Sequence, residues 1–164
     1  MTVKVTWKRA GLATLAAALI VLGISFSGVV TISASSGHWA PTRWFLHWTM
    51  RNSVRTHAAF QSPGDPADAA GLVSAAGHFA QSCAACHGAP GERPSPVMQA
   101  ATPAAPDLAV RAGDWSDAEL FWIVRHGVKF SGMPAWPAFD RTDEVTRMAA
   151  FVRRLPAMSP AEYR

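Results

Sequence analysis

The chain has 164 residues, of which 49% are hydrophobic and 16% charged, and a formal net charge of +4. It is too apolar for a disordered chain and too short for two full-sized domains or a polytopic transporter, which leaves one ordinary domain with appendages. The positive charge lies outside the larger part: residues 1–36 and 37–62 each sum to +3 without an acid, whereas 63–164 set nine Lys or Arg against eleven Asp or Glu. That part offers no basic face for phosphates, so no nucleic-acid partner is expected.

From Ala10 to about Ile32 there is no charged residue. As a helix such a run spans roughly 30 Å, a bilayer core. Lys4, Lys8 and Arg9 precede it, and the positive-inside bias holds them in the cytoplasm and sends the later residues across the membrane. The expectation is a single-pass anchor in a bacterial inner membrane, over residues 1–36, with the remaining chain in the periplasm. The rival reading is a cleaved signal peptide, for which Ser33, Ala34, Ser35 and Ser36 are small enough; the run exceeds a signal core of about 7–15 residues, which favours the anchor.

Residues 37–68 read as a juxtamembrane amphipathic helix and linker. Pro41 suits a first turn, Trp44, Trp48, Arg51 and Arg55 recur at helical spacing, and Ser62-Pro63-Gly64-Asp65-Pro66 is a breaker cluster. Residues 69–164 form the main domain. Ala69 to Cys86 is helical in composition, and Ala89 to Gly113 is a proline-rich wrapped loop. Ser116 to Glu119 has the pattern of a capping box for a helix ending at Gly127, Lys129 to Phe139 is turn-rich, and Asp140 or Thr142 is expected to cap a last helix ended by Pro156. Strand alternation is missing, so the domain is all-α. Three or so helices with this much loop bury too little surface to stand without an internal staple.

Both cysteines of the chain lie in Cys83-Ala84-Ala85-Cys86-His87. This C-x-x-C-H pattern is a c-type haem attachment signal: on a helical turn both sulfurs point at the vinyl groups of one haem, and the following imidazole comes under the iron. A thioredoxin-type dithiol needs a βαβ context that is missing. A disulfide here closes a loop too short to stabilise much, and zinc needs four ligands.

The stretches GHFAQSCAACHG, APDL at 105–108, WSDAELFWIVRHGVKFSGMPAWP at 115–137 and a final helix ending AAFVRRLP resemble the membrane-anchored mono-haem class I cytochromes c, in particular the branch similar to the cytochrome c domains of cbb3-type oxidase subunits. The resemblance covers about 70–158 and leaves 38–60 outside. It implies a class I cytochrome c fold of three to four helices and long loops around one covalent haem c. It also implies that Met133, in Gly132-Met133-Pro134, is the distal iron ligand opposite His87, and that the Pro106 carbonyl accepts a hydrogen bond from His87. His126 is the alternative distal ligand. Gly77 with Phe151 is expected where the first and last helices of the domain cross.

Closed His/Met ligation leaves no open coordination position, so the expected function is outer-sphere transfer of single electrons rather than catalysis, at a potential raised by the soft sulfur. Expected partners are a quinol-oxidising complex or dehydrogenase as donor and a terminal oxidase or reductase as acceptor; the alternative is a fixed subunit of a larger membrane oxidoreductase. Trp44, Phe45 and Trp48 with Arg43, Arg51 and Arg55 read either as a lipid-facing helix or as a docking surface, partner docking being favoured because the apolar run already anchors the chain.

Overall fold

A computed structural model describes residues 6–65 and 69–164. Lys4 and Pro66 fall outside these residues. Two units are present, one up to Gly37 and one from His38 to Arg164. The described residues are helical, with no strand and a single isolated bridge, Ala89 to Glu92.

The first unit contains helix α1, Trp7–Phe26. The Thr6 side chain caps it by accepting from the Arg9 N–H at 3.4 Å, and Lys8 and Arg9 fall inside its first turn. It ends at Ser27, before Gly28 with φ +69°, earlier than Ile32, because the Gly28 conformation turns the chain out of the helix. Its 20 residues are long and apolar enough to cross a membrane.

In the second unit, α2 runs Ala40–Ala58, α3 Ala69–Ser82, α7 Asp117–His126 and α8 Thr142–Arg154. One-turn helices fill the connections: α4 (Ala84–His87), α5 (Pro96–Gln99), α6 (Leu108–Arg111) and, after α8, α9 (Pro160–Tyr163). The proline-rich stretch thus holds two short helices, with Ser95 accepting from Met98 N–H and Asp107 from Ala109 N–H. Their side chains satisfy amides that a plain loop leaves to water.

Helix α8 is the hub and packs on both α3 and α7. Val145, Met148, Ala149, Phe151, Val152 and the following Leu155 are buried, in the i, i+3, i+4 rhythm of a one-sided helix. Its N-cap is Arg141, whose side chain makes no capping bond; Asp143 and Glu144 in the first turn pair with Arg141 instead. Near the other end Arg153 bonds Asp117 at 2.7 Å and the carbonyls of Ala112 and Trp115, clasping the start of α7. The box at Ser116 is complete: Ser116 N–H donates to Glu119 Oε2 at 2.7 Å and Glu119 N–H to Ser116 Oγ at 3.3 Å.

The crossing of α3 and α8 differs from the expected one. Gly77 is exposed and a Cβ there would meet nothing within 4 Å. The contact runs through buried Ala75 and Phe79, the latter 5.5 Å from the Phe151 ring. Two residues are about 200° of helical rotation, so Gly77 lies on the side away from Phe79, whereas Ala75 lies one turn back on the same side.

Helix α2 belongs to the second unit and packs on α7. Val54 and Ala58 are buried, Arg51 stacks over the Trp115 ring at 4.4 Å, and Arg55 lies 3.9 Å from Glu119. Helix α2 thus falls in the same unit as the residues after 68, and the described break is at Gly37.

Candidate functional site

Helix α3 delivers the cysteine motif. Cys83 N–H donates to Phe79 O at 2.9 Å, which continues the helix, and Cys83 O then accepts from both Cys86 N–H at 3.1 Å and His87 N–H at 2.9 Å. The chain tightens into α4, and both thiols are free and half-buried. Burial pushes the Cys83 thiol up, with Cys86 beside it adding to the effect, so it stays a neutral thiol at neutral pH. Gly88 ends the turn at φ +71°, where a Cβ would lie 2.5 Å from Glu92 O and 2.8 Å from Pro94 N. Only glycine lets the following loop fold back this closely.

His87 Nδ1 lies 2.9 Å from Pro106 O. A carbonyl only accepts, so Nδ1 carries the proton and donates, and Nε2 is left with its lone pair free for a metal. This bond joins the motif to the far end of the proline-rich stretch, 19 residues on.

Met133 stands on the loop after α7, and its contacts tie that loop to α7. Val128 N–H donates to Met133 O at 3.2 Å, Met133 N–H to Ser131 Oγ at 3.2 Å, Ser131 Oγ to Val128 O at 2.6 Å, and Trp136 N–H to Arg125 O at 3.0 Å. Gly127 has φ +65°, and a Cβ there would come within 2.6 Å of Met133 O and 2.5 Å of the Pro134 carbonyl carbon. The backbone of Met133 is thereby held at both ends while its thioether is left out of these bonds. The Trp136 indole reaches Glu144 Oε2 at 3.4 Å on α8 and lies 6.1 Å from the His78 ring on α3. Gly127 and Ser131 are site residues that the motif reading missed. A glycine directly after a capped helix, followed by a serine two residues before the methionine, was the signal for both.

His126 is placed elsewhere. Its ring lies 4.9 Å from Trp122 and 5.4 Å from Phe139, and Trp122 in turn lies 5.5 Å from His57 of α2. Burial, then Arg125 and His57, push its pKa down. His126 belongs to the seam of α2 and α7, while His38 and His47 are exposed, His38 just before α2 and His47 on it.

The candidate residues offer two reduced thiols, one imidazole with its tautomer fixed and one thioether. Among the described residues no group of three or more His, Cys, Asp and Glu could hold a metal ion, so these donors do not form a protein-only metal cage. They fit an iron porphyrin, whose vinyl carbons the two thiols would bond and whose iron the imidazole and the thioether would hold. Val97 on α5, Val110 on α6 and Phe130, three residues before Met133, are largely exposed apolar side chains. Arg125 Nε is buried without a hydrogen-bond partner, a donor of the kind that haem carboxylates accept from.

The family model described as cytochrome C oxidase, cbb3-type, subunit III, matches residues 72–152. Comparison with curated proteins and with solved structures returns no match. The matched span runs from α3 through α8 and includes the cysteine motif, the Pro106 carbonyl and the Met133 loop, with α2 outside it. An all-α fold, the C-x-x-C-H turn and this match converge: the chain carries a haem-binding electron-transfer domain, a cytochrome c domain of the cbb3-type subunit III family.

Proposed function

We propose that the chain is a membrane-tethered periplasmic cytochrome that carries single electrons between respiratory or dehydrogenase partners, with one haem c attached through Cys83 and Cys86. The chemistry that such a haem would supply is reversible one-electron transfer. Each free thiol would form one thioether by adding its S–H across a vinyl double bond, and His87 Nε2 and the Met133 thioether would hold the iron. The observation that carries this reading is the 2.9 Å bond from His87 to Pro106 O. It fixes the tautomer and stops the ring from turning. With both His87 and Met133 holding the iron, no position would be left for a substrate, and the chemistry supplied would be electron transfer without bond making. Donor and acceptor are proposed to be a quinol-oxidising complex or dehydrogenase and a terminal oxidase or reductase. The 20-residue apolar helix supports the tether.

A second reading, a fixed subunit of a larger oxidoreductase, is favoured by the family's description as an oxidase subunit. Co-purification in mild detergent separates the two: a stoichiometric haem-stained complex supports the subunit, and a monomeric cytochrome the carrier. The haem itself is tested by pyridine haemochrome spectroscopy with mass spectrometry, where one adduct through Cys83 and Cys86 is expected. Free thiols in protein from a strain competent in haem attachment would refute it.

A further inference from the structure

Helix α2 has two halves with different surroundings. The half from Arg51 to Ala58 lies against α7 and the residue two before it, with Arg51 over Trp115, Arg55 near Glu119 and His57 against Trp122. The partners rise in number together, so the two helices run in the same direction, and the first ten residues of α2 extend about 15 Å beyond the start of α7. On this overhang and at its N-cap Trp39, Trp44, Phe45 and Trp48 are 76%, 66%, 54% and 53% exposed. Trp44 and Trp48 stack with ring centroids 6.1 Å apart and planes within 10°, and Phe45 lies 6.4 Å from Trp48. Four large rings on one short stretch form a patch, which a soluble surface does not keep without use. The one Lys or Arg in 37–50 is Arg43, with no acid beside it; Arg51 and Arg55, expected on the same outward face, turn toward Trp115 and Glu119.

We infer that this overhang docks on the headgroup layer of the bilayer that holds α1, and that α2 is a strut fixing which side of the haem domain faces the membrane. The inference rests on the anchor proposed above. Indole rings, apolar with one polar N–H, settle at the headgroup boundary, and a lone Arg43 without a neighbouring acid meets anionic phosphate there without repulsion. Thirteen residues, 27–39, separate α1 from α2 and reach at most about 45 Å. The overhang therefore meets the bilayer at high effective concentration, and a weak lipid contact suffices. A second attachment point would add little to α1, but orientation is a different service. The chain of contacts continues from α2 to α7 and, through Gly127, to the backbone of Met133.

The test uses the full haem-loaded chain in nanodiscs of phosphatidylcholine and phosphatidylglycerol doped with a phosphatidylcholine that carries a diazirine at the headgroup boundary. Mass spectrometry maps the lipid adducts after illumination. Adducts are expected on 39–50 as well as on 7–32. The double variant Trp44→Ala, Trp48→Ala should lose the first set and keep the second, with haem content unchanged. Adducts confined to 7–32 overturn the strut and leave the anchor standing. A protein extracted by carbonate and unlabelled on 7–32 overturns the anchor itself. In native membranes, a photoreactive benzoylphenylalanine at position 44 should capture lipid; capture of a protein there instead overturns the inference in favour of partner docking.

Discussion

His87 and Met133 lie far apart in the chain and are held by different means, one by a side-chain bond and the other by its own backbone. Replacing Met133 by Ala is expected to abolish the weak near-infrared sulfur-to-iron band of the ferric protein and open the ferrous iron to carbon monoxide. His126→Ala should do neither, since His126 is occupied between Trp122 and Phe139; the reverse result would transfer the ligand role. A lowered histidine pKa means that the unfolded chain binds the proton more readily than the folded one, so stability rises with pH across the range just below the ordinary value of about 6.5. The contribution is lost as pH falls through that range, where a charged His126 would face Arg125 and His57. Thermal unfolding in detergent between mildly acidic and neutral pH should show this slope for the wild type and a shallower one for His126→Gln. Met133 was singled out only through the resemblance, whereas the cysteine motif could be read from the chain because its residues are adjacent. The true place of His126 could not, since the aromatic rings around it come from segments that only folding brings together.

At the level of elements, the capping box of α7 was visible as Ser116-Asp117-Ala118-Glu119 because its bonds span three residues. The same pattern at Ser159-Pro160-Ala161-Glu162 forms a second complete box that starts α9, although Pro156 had marked the end of helical structure. Ser116→Ala is expected to cost about 0.5–2 kcal/mol, measured by chemical denaturation with the haem content held equal. Phe79→Ala should cost about 3–5 kcal/mol, because the ring is fully buried against Phe151 and Tyr163 and its loss leaves a cavity. The α3 crossing was misplaced at Gly77 because a small residue is permission for close approach and not a cause of it; rotation from Phe79 decides the face. The attachment of α2 to α7 was also hidden. Trp44, Trp48, Arg51 and Arg55 do fall on one stripe, but nothing in their spacing tells that the stripe passes from solvent onto another helix midway.

For the whole molecule, the testable question is on which side of the membrane the second unit lies. A phosphatase fused after Arg164 should be active, and the protein should stay in membranes washed with carbonate; a mature N-terminus near Ser35 would instead show that α1 is removed. Composition and charge sufficed to separate the apolar N-terminal segment from the mildly acidic remainder, since both are sums over many residues. They could not assign α2, whose arginines add to a positive total while two of them serve to pack it on α7.

The loop that carries Met133 has one further consequence. Between Gly127 and Pro134 the backbone closes on itself through Val128, Ser131 and Met133, against a glycine that leaves no room for a Cβ. Residue count is therefore a stricter requirement there than residue identity. Lys129, Phe130 and Gly132 can be exchanged for other residues more readily than one residue can be inserted or deleted among them, because a change in length breaks the register of all three bonds. A deletion series across 128–132, scored by the near-infrared band, should fail at its first member, whereas an insertion in the linker after Phe26 should leave the band untouched.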